Sequence, residues 1–281
     1  MTKTTLDQYA VLGHPIAHSK SPQIHAEFAK QTGQQIEYKA ILVDVDGLAQ
    51  ALSSFEDQGG KGVNITLPFK REAWEWVDSR SPRAQRAGAV NTIVFSPDAS
   101  YGDNTDGVGL VRDLTVNYHV ALKASRILLL GAGGACRGVI EPLLAEHPAH
   151  VAVVNRTSSK ALELAQTFAD LGAIEALSYD DLADKKFDLI INATSASLKG
   201  ELPPLPCTVL VSGGGCYDMM YGATPTVFMQ WAKANGASKA MDGLGMLVEQ
   251  AAESFFLWRK VRPQTAPVMA NLRAQMATLA T

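Results

Sequence analysis

With 281 residues, of which 47% are hydrophobic, the chain can bury one large core or two medium ones, which excludes disorder as its resting state. Charged residues make up 19% and the formal net charge is -3. No broad basic surface is therefore left to neutralise a phosphate backbone, and nucleic acid is not expected as a partner. The three cysteines, Cys136, Cys207 and Cys216, are odd in number and lack C-x-x-C spacing, which points to a reducing compartment and no thiolate metal site. The segment Met1–Asp7 has no apolar signal core. No uncharged apolar run approaches the roughly 20 residues of a bilayer span. A cytoplasmic protein without a membrane or metal partner is expected.

In chain order, short apolar runs alternate with helix-like segments. A strand at Tyr9 to Gly13 precedes a helix at Pro22 to Gln31, for which Ser21 is a candidate cap. Then come a strand at Ile36 to Val43, a helix at Gly47 to Gln58 and a strand at Gly62 to Thr66. This β-α-β-α-β order predicts a mostly parallel sheet covered by helices. Thr92 to Phe95 and Tyr101 to Asp103 flank a Ser-Pro-Asp-Ala-Ser turn and read as an antiparallel hairpin extending it. Val108 to Tyr118 reads as a helix leading away.

A second series starts at Arg126-Ile127-Leu128-Leu129-Leu130, a continuous apolar run of the kind a strand buried on both faces requires. Helix Ala135 to Glu146, strand Val151 to Asn155, helix Ser158 to Asp170, strands near Ile174, Leu189 and Val209, and a helix at Pro225 to Ala234 complete a doubly wound unit. From Gly243 on, apolar residues at helical spacing predict two terminal helices.

Between the first strand and helix of this series lies Gly131-Ala132-Gly133-Gly134-Ala135-Cys136. Such a loop lets the backbone approach a pyrophosphate, which then sits on the N–H groups of the helix start. The strict G-x-G-x-x-G pattern is broken by Cys136, and a glycine turn between strand and helix is often only a turn. The next strand ends in Asn155-Arg156-Thr157, with Lys160 a turn later, where NAD-binding folds carry a carboxylate. An arginine there suits a 2′-phosphate, so NADP is the expected cofactor. Against this, Arg156 and Lys160 are solvated charges at a helix start if the loop upstream binds nothing.

Three stretches of the first half hold polar residues beyond what a scaffold needs: His18-Ser19-Lys20-Ser21-Pro22, Asn64-Ile65-Thr66-Leu67-Pro68-Phe69-Lys70, and Asn91-Thr92 with Asp103-Asn104-Thr105-Asp106. Each alone is as well explained by turns, caps or a surface ion pair. Together they resemble the signature motifs of shikimate dehydrogenases, and the likeness continues to Gly243-Leu244-Gly245-Met246-Leu247-Val248 and Gln250. The resemblance implies an α/β substrate domain (1–106 with 243–281) and a Rossmann NADP domain (107–242). It implies a reversible, NADP-dependent reduction of 3-dehydroshikimate to shikimate in the cytoplasm, by a monomer or homodimer. By it, Lys70 and Asp106 form the catalytic pair, and Ser19, Ser21, Thr66, Asn91, Tyr221 and Gln250 join them in holding the substrate. Gly131, Ala132, Gly133, Gly134, Ala135, Asn155, Arg156, Thr157 and Lys160 hold the dinucleotide, with Met219 and Gly243 lining the nicotinamide.

The chain departs from the family pattern at Ala26, at Ser197 in Asn192-Ala193-Thr194-Ser195-Ala196-Ser197, where a glycine is usual, and in the run Gly213-Gly214-Gly215. Two rival readings are a broader quinate/shikimate dehydrogenase and a non-catalytic relative that senses NADP or a shikimate-like metabolite. The retained Lys70 and Asp106 weigh against the second, because a sensor needs no proton donor.

Overall fold

The computed structural model describes residues 6–278. By mutual contact the chain divides into two units, Met1–Asp106 with Val248–Val268 and Gly107–Leu247 with Met269–Thr281. The sequence reading assigned 243–281 whole to the first unit, whereas the contacts divide that stretch.

The first unit is built on a six-stranded sheet. Its strands are β1 (Asp7–Gly13), β2 (Ile36–Leu42), β3 (Gly62–Ile65), β4 (Ser79–Arg80), β5 (Thr92–Phe95) and β6 (Ser100–Asp103), in the order β2-β1-β3-β5-β6-β4. β1 pairs in parallel with β2 and β3, and the expected antiparallel hairpin of β5 and β6 is joined through β5 to β3. Helices α1 (Ser21–Thr32), α2 (Leu48–Asp57), α3 (Lys70–Trp76) and α4 (Pro82–Ala87) lie between the strands. Ala10 and Leu12 of β1, Val63 and Ile65 of β3, Leu48 and Leu52 of α2, and Phe69 and Ala73 around α3 form one apolar core. α3, α4 and β4 were not foreseen: each is too short to show a period. Ser21 does not cap α1. The helix begins on Ser21 itself after Lys20, and the Ser21 N–H is taken by Ser19 Oγ at 3.3 Å.

On α1, His25 is fully buried among aromatic rings. It stacks on Tyr38 at 4.2 Å between centroids and lies within 6.1 Å of Phe28, Phe255 and Trp258. Burial pushes this imidazole down to about 3, against an opposing pull from the Asn64 amide. The fold therefore holds His25 neutral, while the unfolded chain protonates it below about pH 6.5. A depressed base stabilises above its unfolded value and loses that contribution as pH falls, at about 1.4 kcal/mol per unit. Urea titrations at pH 7.5 and 5 are expected to show about 2 kcal/mol more acid destabilisation for the wild type than for His25→Phe. Equal acid sensitivity of the two proteins would refute this.

The second unit is a six-stranded, all-parallel sheet. It is made of β7 (Arg126–Leu130), β8 (His150–Val154), β9 (Ile174–Leu177), β10 (Phe187–Asn192), β11 (Leu210–Asp218) and β12 (Lys239–Asp242). The order β12-β11-β10-β7-β8-β9 is doubly wound, with the topological switch between β7 and β10. Alternate residues of β7 enter opposite cores. Ile127 and Leu129 pack with Val151, Val153 and Ile191, while Leu128 and Leu130 pack with Ala152, Val154 and Ile190. Burial on both faces is thus why the run is apolar without alternation.

Helices α5 (Asp106–Arg112), α6 (Gly134–Ala145), α7 (Ser158–Phe168), α8 (Val227–Ala234), α9 (Leu244–Arg259) and α10 (Ala266–Thr278) complete the chain. The helix expected over 108–118 begins earlier and changes at Asp113–Asn117 into a π turn. There the Asp113 carboxylate accepts the Tyr217 hydroxyl at 2.7 Å and the Asn117 amide at 2.9 Å. The glycine run in β11 is a bulge: register passes from Phe187–Leu210 to Leu189–Gly215. It lies at the strand's start, and pairing is regular again up to Asn192–Asp218.

Candidate active site

In the first unit, strand register carries separate motifs to one edge of the sheet. Leu12 of β1 lies level with Ile65 of β3, so the Gly13–Ser21 and Thr66–Lys70 segments leave the sheet side by side. β5 runs the other way, with Thr92 opposite both Asn64 and Asp103. Its first residue and the end of β6 therefore lie at the same edge. Backbone bonds lock the junction: Val90 N–H donates to Lys70 O at 2.8 Å, Ile65 N–H to Asn91 O at 2.8 Å, and Asn91 N–H to Asp103 O at 3.0 Å.

At that edge the Lys70 ammonium donates to Asp106 Oδ2 at 2.5 Å, with the two side chains 27% and 12% exposed. Asn91 Nδ2 donates to the other carboxylate oxygen, Asp106 Oδ1, at 2.8 Å, and lies 3.5 Å from Gln250 Oε1. Lys70, Asn91, Asp106 and Gln250 are thus one hydrogen-bonded cluster. Thr66 and Ser19 are half-buried and Ser21 is buried at the same edge.

The turn bearing Asp106 is braced from behind. Arg83 forks onto the buried Asp103 carboxylate at 2.7 and 2.6 Å, and Asp106 N–H is taken by Asn104 Oδ1 at 3.2 Å. A half-sheltered ammonium held on a carboxylate at a strand edge can give up a proton to a nearby oxygen and offset its charge.

Asn64, Thr92 and Thr105 stand in the stretches the sequence singles out but were given no role there, and Ser254 was missed. The two protons of Asn64 Nδ2 are shared among Asn91 O, Thr92 Oγ1 and Ser254 Oγ, at 3.0 to 3.2 Å. Asn64 lies within β3 and is only 7% exposed. The density of amides and hydroxyls at the starts and ends of β3, β5 and β6 was the available signal.

In the second unit the same logic operates. Val154, Leu130, Asn192, Asp218 and Asp242 are level across β8, β7, β10, β11 and β12. Consequently Asn155-Arg156, the Gly131 loop, Ala193-Thr194, Met219 and Gly243 all leave the sheet at one edge. Gly131 has φ +107°, and a Cβ there would crowd Thr194 and the Ala193 backbone. Gly133 and Gly134 are exposed, with open space where side chains would project. No side chain caps α6 at Gly133. Cys136, in the third glycine position, is fully buried in the core between helix and sheet, and burial pushes its thiol up to about 12. The packing role of that position is met without glycine.

Arg156, Thr157 and Lys160 are exposed, and Asn155 Nδ2 donates to Thr157 O at 3.0 Å. Among the described residues no carboxylate pairs with Arg156. An open glycine cradle, an uncapped helix start and an unpaired arginine at the next strand fit a diphosphate bearing a further phosphate.

Gly243 packs so closely on Met219 that a Cβ would clash with the Met219 carbonyl oxygen. Tyr221, half-buried in this second unit, has its phenol pushed up by burial and by the charge of Asp242, so it stays a neutral donor. Ser197 fills a use of its own. Its hydroxyl donates to the buried Asp218 at 2.6 Å, alongside Thr226 at 2.7 Å, Asn192 at 3.1 Å and the Met220 N–H at 3.1 Å. Burial raises the Asp218 pKa against these four donors. Ser197→Ala is expected to cost about 1–3 kcal/mol of stability, because a buried carboxylate loses a donor. An unchanged denaturation midpoint would refute that.

Family models match the chain at residues 11–93 (shikimate dehydrogenase substrate binding domain), 114–199 (shikimate / quinate 5-dehydrogenase) and 243–273 (shikimate 5'-dehydrogenase C-terminal domain). The shikimate dehydrogenase (NADP(+)) of Nitrosococcus oceani is 59% identical over 271 residues, covering 96% of each chain. That of Cellvibrio japonicus is 59% identical over 272 residues, covering 96% of this chain and 98% of its own. The crystal structure of shikimate 5-dehydrogenase from Thermus thermophilus in complex with NADP(H) and shikimate aligns with a TM-score of 0.86 at 34% identity, covering 96% of this chain and 99% of that one. With strand order, edge geometry and these matches agreeing, the chain belongs to the shikimate dehydrogenase family.

Proposed function

We propose that this protein is an NADP-dependent shikimate dehydrogenase, reducing 3-dehydroshikimate to shikimate reversibly in chorismate and aromatic amino-acid biosynthesis. The observation that carries this reading is the half-sheltered Lys70–Asp106 pair, bonded to Asn91 at a strand edge, in a chain 59% identical to NADP-dependent shikimate dehydrogenases. Among the described residues no helix is long and apolar enough to cross a membrane. We place the protein in the cytoplasm.

When bound, NADP supplies the hydride acceptor or donor. The chain's own residues do the rest. In the reducing direction Lys70 offers its ammonium to the oxygen that gains negative charge, and the Asp106 carboxylate keeps that ammonium aimed. In the oxidising direction Lys70 takes the hydroxyl proton back. Ser19 and Ser21 offer hydroxyls to the substrate carboxylate, while Thr66, Asn91, Gln250 and Tyr221 serve the ring hydroxyls. Gly131, Ala132, Gly133, Gly134 and Ala135 hold the diphosphate through backbone N–H groups, and Asn155, Arg156, Thr157 and Lys160 take the adenine-side phosphate. Met219 and Gly243 line the nicotinamide.

Absorbance of the reduced nicotinamide tests this with four pairs: shikimate or quinate, each with NADP or NAD. Rapid reduction with shikimate and NADP alone is expected. Comparable rates with quinate would establish the broader enzyme, and NADP binding without turnover of either substrate would establish the sensor.

A further inference from the structure

We propose that Thr92, with Asn64 and Tyr38 behind it, is a positioning element that fixes how Asn91 presents itself to the Lys70–Asp106 pair. This rests on the assignment of that pair as catalytic. Asp106 Oδ1 accepts Asn91 Nδ2 at 2.8 Å and Oδ2 accepts Lys70, so each carboxylate oxygen has one committed donor. That arrangement requires the Asn91 amide to face Asp106 with its nitrogen. Reversed, it would set a carbonyl oxygen against a carboxylate in a dry site.

The opposite end of the amide decides the matter. Asn91 Oδ1 accepts the Thr105 backbone N–H at 2.9 Å and the Thr92 hydroxyl at 2.9 Å. Thr92 has a single proton to give. Its oxygen is supplied from the other side by Asn64 Nδ2 at 3.1 Å, and Asn64 Oδ1 in turn accepts the Tyr38 hydroxyl at 2.7 Å. Ser254 Oγ accepts from Asn64 at 3.0 Å, and its own proton has both Gln250 O at 3.0 Å and Thr92 Oγ1 at 2.8 Å in reach. With Ser254 and Asn64 both donating towards the Thr92 oxygen, the Thr92 proton is directed to Asn91 Oδ1 at 2.9 Å. Donor direction runs from Tyr38 through Asn64, Thr92 and Asn91 to Asp106, and from Asn64 to Asp106 each residue is at most 8% exposed. Water cannot readily replace a missing member. Without the Thr92 hydroxyl, Asn91 keeps its carbonyl partner at Thr105 but loses a restraint. The Asn91 amide then holds the Asp106 carboxylate, and through it the Lys70 ammonium, less tightly.

The test compares Thr92→Val, which keeps the volume and deletes the hydroxyl, with Thr92→Ser, which keeps the hydroxyl. Steady-state kinetics with shikimate, pH profiles of kcat, NADP affinity and urea midpoints are measured on the full chain. Thr92→Val is expected to lower kcat about tenfold or more and displace its pH profile, with KM and NADP affinity changed less than about threefold. Thr92→Ser is expected to stay within about twofold of wild type in all four. If Thr92→Val folds and matches Thr92→Ser in kcat and pH profile, the positioning role is wrong. Should Thr92→Val fail to fold, Tyr38→Phe tests the chain from its far end: a fall of about threefold or more with the same displacement supports it, and an unchanged profile overturns it. An inactive wild type would overturn the functional reading and this inference together, whereas an active wild type with equivalent Thr92 variants overturns this inference alone.

Discussion

Lys70→Ala is expected to lower kcat for shikimate oxidation by about a hundred- to ten-thousandfold, the usual worth of a positioned proton-transfer group. Two effects add. The ammonium is the only group donating to Asp106 Oδ2 among the bonds of this cluster, so its loss removes the proton carrier and leaves a carboxylate facing the substrate oxygen. Negative charge developing there in the reductive direction would meet a like charge instead of a cation. Affinity for NADP should change less than about twofold, because Lys70 is not among the residues assigned to the dinucleotide. Lys70→Arg is not an adequate rescue, since a guanidinium does not release its proton at neutral pH. A Lys70→Ala protein with near-normal kcat would remove the catalytic assignment.

The second large effect falls on cofactor choice. Arg156→Ala is expected to weaken NADP binding about ten- to a hundredfold and NAD binding less than about threefold, narrowing the gap between them. Arg156 is exposed and, among the described residues, unpaired with any carboxylate. Its charge is therefore available to a phosphate without first breaking an ion pair. Charge-assisted bonds from a guanidinium to phosphate account for the size of the effect. Raising the salt concentration should shrink the preference for NADP in the wild type more than in the variant. Equal losses for both nucleotides would mean that Arg156 stacks on the adenine without reading the phosphate.

What the chain reveals before folding is uneven, for physical reasons. β7 and β8 are legible because a strand buried on both faces must be apolar throughout, and the glycine loop follows because a tight turn must reach α6. Lys70 and Asp106 stand out only as members of a motif set, since 36 residues separate them and only the antiparallel β5–β6 hairpin returns the chain to the edge where β3 ends. The pair's buried support is illegible. Asn64 and Ser254 are 190 residues apart, and nothing local to either predicts that a terminal helix supplies the hydroxyl.

β12 is four residues, Lys-Ala-Met-Asp, too short and mixed to signal a strand, yet it sets the level at which Gly243 leaves the sheet. Ser197 shows the converse. It breaks the family pattern in the sequence, but in the fold it is one of four donors to the buried Asp218 carboxylate. The departure is thus absorbed locally. The glycine run of β11 likewise forms a bulge away from the edge that carries Met219.

The measurement that bears most directly on the central claim is the reductive reaction run to completion, with 3-dehydroshikimate and a limiting amount of NADPH mixed with the purified protein. Loss of the NADPH absorbance with one shikimate formed for each NADPH consumed is the predicted result; NADPH that binds but persists in the presence of the ketone would contradict it.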